Sequence, residues 1–109
     1  MSYAGPPGSE SQFYFCRLVP PRPTFAMDMN DSERKAMTEH VGYWSQLMAQ
    51  DIAIVFGPVA DPAGPWGLGI VRVRDAAQLS EVLDGDPAIR ANIGLRYESL
   101  PMLQAVTRG

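Results

Sequence analysis

The sequence predicts an α+β domain with one four-stranded antiparallel sheet and two helices. Four apolar runs have the length of strands, and two other stretches repeat apolar residues at helical spacing. Their order is β-α-β-β-α-β, which is the ferredoxin-like split βαβ arrangement and places both helices on one face of the sheet.

The composition fits one globular domain. The chain has 109 residues, of which 46% are apolar and 19% charged, and its formal net charge is −3. The arginines are scattered, so the charge pattern indicates neither nucleic acid nor a membrane surface as a partner. The single cysteine excludes an intrachain disulfide. No apolar run is long enough to cross a bilayer and no signal-peptide pattern opens the chain, so we expect a cytoplasmic protein.

The domain is predicted to cover residues 12–109. Residues 1–11 are rich in Gly, Pro and Ser, and we expect them to be a disordered tail. The run QFYFCRLV (Gln12–Val19) predicts the first strand, and the prolines that follow end it because proline cannot donate to a ladder. A connecting loop, RPTFAMDMND, leads to the first helix.

The first helix is predicted over residues 32–50. Asn30 and Glu33 have the spacing of a capping box, and apolar residues then recur at helical spacing. Gly42 costs about 1 kcal/mol relative to alanine inside a helix, so its presence suggests a close approach by a neighbour or a ligand.

The second half predicts a hairpin, a helix, a short helical turn and a last strand. The turn chemistry of DPAGP joins the two hairpin strands, and Asp–Pro is a preferred opening for a helical turn. The predicted positions are residues 52–59 and 67–73 for the hairpin strands, a helix capped by Asp75 with Gln78, a turn opening at Asp86–Pro87, and a strand over residues 93–100.

The sheet face turned away from the helices is also apolar. In the first strand, Phe13 and Phe15 alternate with Tyr14, Cys16 and Leu18, so neither face of that strand is polar. An uncovered face of this kind would be a large exposed patch for a monomer. We therefore expect a homodimer that packs sheet against sheet.

The only histidine, His40, lies beside the apolar stripe of the first helix, three residues after Met37 and four before Trp44. It can be a partly buried ring bonded to a backbone carbonyl. It can also be a general acid/base, since histidine titrates near neutral pH. Position alone leaves both interpretations open.

Asp86 is the candidate partner that would orient His40. An Asp–Pro pair at the start of a helical turn is also explained as an N-cap. The two roles are compatible, because one carboxylate oxygen can cap the turn while the other faces the imidazole.

Arg22, Phe25, Trp44 and Tyr97 are candidates for the wall of a substrate pocket. The first two lie in the loop, which could simply wrap the helix, and the two aromatic residues also suit a core. No phosphate loop, HExxH motif or nucleophile elbow is present. One histidine with scattered carboxylates is a poor ligand set, so we expect no metal and no cofactor.

Four separated motifs occur in the order typical of one family. They are H-x-x-Y-W at residues 40–44, FGPVADPAG at 56–64, GDPAIRA at 85–91 and YESLPM at 97–102. With them the chain resembles the YCII-related (YciI-like) family from the first strand to Met102. The stretch RPTFAMDM is similar to the loop before the helix in one branch of that family.

The resemblance implies a ferredoxin-like fold that pairs into a dimeric α+β barrel. In that family a helix histidine and the aspartate of the DP motif are proposed to form a His–Asp pair in a cleft, and the matching positions here are His40 and Asp86. One related enzyme eliminates HCl from a chlorinated aromatic diol. The chain departs from the family at Asp51, where many members carry a glycine.

Two functions follow. The chain can be an enzyme whose His–Asp pair acts on a small cyclic or aromatic substrate by elimination, isomerisation or lactone-type chemistry. It can instead be a non-catalytic dimeric ligand-binding or interaction module, because a fold does not determine a function.

Overall fold

The structure, a computed structural model, describes residues 2–3 and 11–108. Most of the segment predicted to be disordered, residues 1–11, lies outside the described residues. The elements are β1 (Ser2–Tyr3), β2 (Gln12–Val19), α1 (Phe25–Asp28), α2 (Asp31–Ala49), β3 (Ala53–Val59), β4 (Trp66–Val73), α3 (Ala76–Asp84), α4 (Pro87–Arg90), β5 (Arg96–Pro101) and β6 (Val106–Thr107).

The four longer strands form one sheet with the order β3-β4-β2-β5. Every neighbouring pair is antiparallel, and Cys16 at the centre lies opposite Gly69 on one side and Ser99 on the other. A separate short pairing joins β1 to β6. The strand order and the interleaved helices confirm the predicted ferredoxin-like α+β fold.

The long helix α2 begins where the capping box predicts. The Asn30 side chain accepts from the Glu33 backbone N at 2.8 Å, and the Glu33 side chain accepts from the Asn30 backbone N at 2.9 Å. After the helix, Asp51 takes φ 60°, in the left-handed region that favours glycine, and its N–H donates to the Met48 carbonyl at 3.1 Å.

The core lies between the sheet and the helices. From α2 it receives Trp44, which is 1% exposed, and Leu47. Gly42 lies on the exposed side of the same helix, and a Cβ added there would meet no atom within 4 Å, so no neighbour among the described residues makes the expected close approach. The remaining buried members of the core are Tyr14, Cys16, Ala53, Val71, Val73, Leu79, Val82 and Leu83.

Two predicted boundaries differ from the structure. The loop after β2 contains one helical turn, α1, and β5 begins at Arg96 rather than at residue 93. Asn92 and Gly94 have φ values of 54° and 94°, which interrupt the extended backbone there. A Cβ on Gly94 would lie 3.0 Å from the Cβ of Pro21, so this turn packs directly against the loop after β2.

The face of the sheet away from the helices is called here the open face, and it carries a row of apolar side chains. Val55, Ile70, Phe15 and Leu100 lie opposite one another across β3, β4, β2 and β5. Val55 is 46% exposed and Leu100 is 64% exposed. Side chains alternate between faces along a strand, so this row faces away from the row of Cys16.

Candidate active site

The two residues predicted to form a pair lie side by side. His40 is on α2 and Asp86 is the N-cap of α4, with His40 Nδ1 2.8 Å from Asp86 Oδ2. The Asp86 side chain has no exposed surface, whereas 12% of the His40 side chain is exposed. The pair therefore joins a buried acid to a ring that lines a cavity.

The Asp86 carboxylate accepts hydrogen bonds from four groups. Oδ1 accepts from the backbone N of Ala88 at 2.9 Å, which is the N-cap bond. Oδ2 accepts from His40 Nδ1, from Trp44 Nε1 at 3.0 Å and from the Tyr97 hydroxyl. The carboxylate therefore caps α4 and holds the histidine ring at the same time.

The H-x-x-Y-W stretch directs three side chains of α2 onto the segment that carries Asp86. His40 and Trp44 are four residues apart, on one face of the helix, and both bond Asp86. Tyr43 donates its hydroxyl to the Val82 carbonyl at 2.7 Å. A Cβ on Gly85 would lie only 2.7 Å from that hydroxyl, so the residue before the aspartate has to be small.

The protonation states of the cluster determine the tautomer of His40. Burial raises the pKa of Asp86, but the interactions with His40, Tyr97 and Ala88 outweigh it and bring this pKa below its usual value. Burial and then the Asp86 carboxylate raise the pKa of Tyr97. Asp86 is thus an ionised acceptor and Tyr97 a protonated donor, so His40 Nδ1 carries the shared proton.

With Nδ1 bound to Asp86, Nε2 is the ring nitrogen left for chemistry. Among the described residues Nε2 has no hydrogen-bond partner. A neutral imidazole protonated at Nδ1 has its lone pair on Nε2, so this atom can accept a proton from a bound molecule.

The cavity that His40 lines has a volume of about 330 Å³. Its wall comes from the loop after β2, from one face of α2 and from the sheet. Most of it is apolar, and its larger side chains include Phe25, Met37, Trp44, Phe56, Trp66 and Tyr97. Phe25, Trp44 and Tyr97 were predicted pocket residues, and the structure places all three in this wall.

Two glycines of β4 allow close packing on the floor of the cavity, Gly69 against Trp44 and Gly67 against Leu18. A Cβ on Gly69 would lie 2.4 Å from Cη2 of the Trp44 ring, so the indole lies directly on the strand backbone. A Cβ on Gly67 would lie 3.2 Å from the Cβ of Leu18. The sequence reasoning missed both glycines, although their two-residue spacing within a strand is a recognisable signal of close approach.

Arg22 does not line the cavity, contrary to the prediction. Its guanidinium bonds both carboxylate oxygens of Glu33 and one of Asp28, each at 2.8 Å. The bonds from Arg22 lower the pKa of Glu33 to about 2. They tie the loop to the first turn of α2, and Phe25, at the start of α1 in this loop, is buried at the cavity wall. Arg22 therefore acts on the pocket only through the loop.

The Cys16 thiol takes no part in the hydrogen bonds of this cluster, and donates instead to the Tyr14 carbonyl. Burial raises the pKa of the Cys16 thiol to about 12, as expected of an unreactive core cysteine. Within the described ranges, no group of three or more His, Cys, Asp or Glu side chains could hold a metal ion. Over the same residues, no helix has the length and apolar character needed to cross a membrane.

Comparison with known proteins gives a family match. The chain matches the YCII-related domain over residues 13–103. Among solved structures it is similar to the uncharacterised protein TM1266 from Thermotoga maritima, with 14% sequence identity, a TM-score of 0.47, and coverage of 85% of this chain and 99% of that chain. No curated protein gives a significant match.

Proposed function

The chain belongs to the YCII-related domain family, and we propose that it is an enzyme in which His40 is a general acid/base for a small cyclic or aromatic substrate. One observation carries the proposal. The buried Asp86 carboxylate holds Nδ1 of His40 at 2.8 Å, which leaves Nε2 for a molecule in the cavity.

The proposed reaction begins with proton transfer to His40. Nε2 removes a proton from the substrate, and the imidazolium that forms is stabilised by the adjacent Asp86 carboxylate. The ring then returns the proton to another atom of the substrate or to a leaving group. Such transfer contributes typically 10²–10⁴-fold in rate, which is sufficient for elimination, isomerisation or lactone-type chemistry on an activated substrate.

The alternative is a ligand-binding module without catalysis. The largely apolar wall suits either function, because binding sites and active sites are both lined mainly by apolar residues. The contact of His40 with the cavity favours the enzyme, since a purely structural histidine needs no exposure to a ligand.

The enzyme proposal is tested by screening small cyclic diols and lactones for turnover. For a substrate found in this way, His40→Gln and Asp86→Asn are expected to lower kcat by about 10²–10⁴-fold. Glu39→Gln is the matched control, because Glu39 is the exposed neighbour of His40 in the sequence. Unchanged kcat in His40→Gln would contradict the proposal.

We propose further that the open face pairs with a second copy of the chain. The support is the apolar row of Val55, Ile70, Phe15 and Leu100, since a row of this kind is unusual on a monomer surface.

Sedimentation at micromolar concentration tests the pairing. We expect a dimer for the wild type and a monomer for Leu100→Lys. Met27→Lys, which changes a residue of α1 that is 87% exposed, should remain dimeric. A monomeric wild type would contradict the pairing.

A further inference from the structure

We infer that the cavity takes neutral ligands with one proton-donating group and excludes anionic ones, an inference that deepens the proposed function and rests on the same site. It specifies the charge of the substrate, which the His40–Asp86 pair alone does not determine.

The N–H and O–H donors of most cavity side chains are already used within the protein. Trp44 Nε1, the Tyr97 hydroxyl and His40 Nδ1 all donate to Asp86. Trp66 Nε1 donates to Asp61 Oδ2 at 3.0 Å. Among the described side chains that line the cavity, His40 Nε2 is the polar atom that remains for a ligand.

The described residues that line the cavity include no lysine or arginine. Arg22, the arginine of the adjoining loop, is held by Asp28 and Glu33. Arg17 lies 4.4 Å from the centre of the Trp66 ring, but its side chain is on the open face, two residues along β2 from Phe15, and does not line the cavity.

The backbone of the floor is also committed. Gly67 and Gly69 lie in β4, which pairs with β2 on one side and β3 on the other, so the sheet ladder uses its N–H groups.

The charge behind the histidine ring is negative. Asp86 is a buried carboxylate within hydrogen-bond distance of the ring, so the imidazole that faces a ligand is held against a negative charge. A carboxylate or phosphate on the ligand would lose its water on entering the cavity and gain no opposite charge, which disfavours binding. A neutral molecule pays no such cost.

The remaining features define the ligand. Nε2 accepts a hydrogen bond, so the ligand must present a donor such as a hydroxyl group. The rest of the wall is apolar and the volume of about 330 Å³ is at the small end of ligand pockets. A neutral ring compound with one hydroxyl fits these conditions, whereas a lactone that carries a carboxylate does not.

The test uses the full chain labelled with nitrogen-15. Its two tryptophans, Trp44 and Trp66, both line the cavity, so their indole N–H signals report a bound ligand. The probes are para-cresol, which is neutral at about pH 7.5, and para-toluate, which has the same methyl-substituted ring and is anionic there.

Para-cresol is expected to bind with a Kd lower than that of para-toluate by about ten-fold or more. Para-toluate binding as tightly as para-cresol, or no indole shift with either probe, would overturn the inference. Para-methylanisole, which lacks the donor, should bind about five-fold more weakly than para-cresol, and equal binding would refute the donor requirement.

A cation added to the wall should remove the selectivity. Met37→Lys is expected to tighten para-toluate binding by about ten-fold or more relative to the wild type, whereas Met37→Leu keeps the preference for para-cresol. The enzyme proposal is separable from this result. If the cavity prefers neutral probes but no substrate is turned over, only the enzyme proposal is contradicted. If only anionic substrates are turned over, the charge selection is contradicted.

Discussion

Replacing Asp86 with asparagine separates its two roles. Asparagine caps a helix about as well as aspartate, but it has only one oxygen, which can serve either the Ala88 N–H or the three side-chain donors. It removes the negative charge that His40, Trp44 and Tyr97 share, and it introduces an NH₂ group into a site built from donors.

The cost of Asp86→Asn can be worked from these contacts. If the amide oxygen turns to the three side-chain donors, the Ala88 N–H faces the NH₂ group, and a buried donor without an acceptor costs about 1–3 kcal/mol. The three other bonds lose their charge assistance, about 1 kcal/mol each, while the cost of burying the carboxylate is relieved. We expect a net loss of about 2–4 kcal/mol in the free energy of unfolding.

Urea titration followed by tryptophan fluorescence measures this loss. Asp75→Asn is the matched control, because Asp75 also caps a helix through its side chain but is exposed. We expect it to change the stability by less than about 0.5 kcal/mol. If Asp86→Asn costs no more than Asp75→Asn, the carboxylate is only a cap and the reasoning is refuted.

Three further variants test separate parts of the structure. Burial and a nearby carboxylate raise the pKa of Tyr97, so the native chain keeps this proton after the unfolded chain has lost it. The free energy of unfolding of the wild type should therefore fall above about pH 10, by about 1.4 kcal/mol per pH unit. Urea titrations should show a shallower fall for Tyr97→Phe, which has no hydroxyl proton to lose. Gly69→Ala places a Cβ 2.4 Å from the Trp44 ring, so it should lower the free energy of unfolding by about 1–3 kcal/mol and change the near-UV circular dichroism spectrum. Gly57→Ala is the control, because its Cβ would meet no atom within 4 Å, and it should cost less than about 0.5 kcal/mol. Gly42→Ala should raise the stability by about 0.5–1 kcal/mol in a thermal scan. An equal alkaline slope for Tyr97→Phe and the wild type would contradict the role of Tyr97. Equal costs for Gly69→Ala and Gly57→Ala would contradict the close packing on Trp44, and a destabilised Gly42→Ala would contradict the open space around Gly42.

The fold could be predicted from the sequence because its signals are local. The capping pair of Asn30 and Glu33 and the apolar runs of the strands act within a few residues of one another. The late start of β5 could not be predicted, because the turn at Gly94 depends on packing against Pro21, more than 70 positions earlier in the chain.

The site was predictable only in part. His40 and Asp86 are 46 positions apart, so no spacing rule brings them together, and the family resemblance supplied the pairing. Tyr97 was placed in the wall, but its bond to Asp86 could not be anticipated because it depends on the sheet bringing β5 beside β2.

The assignment of Arg22 to the pocket was wrong. Arg22 is a charged loop residue, but ion pairs with Asp28 and Glu33 hold its side chain outside the cavity wall. Both carboxylates follow Arg22 within the same loop and the first turn of the next helix, so the signal for this ion-pair cluster was present in the sequence.

The most direct measurement is the nitrogen-15 NMR spectrum of the imidazole above about pH 8, where a histidine ring is ordinarily uncharged. His40 is the only histidine in the chain, so its two ring nitrogens are assigned without ambiguity. The account predicts a proton on Nδ1, held by Asp86, and a bare Nε2 whose signal moves when a hydroxylated ring compound is added. A proton on Nε2 in the wild type, with no response to such compounds, would contradict it.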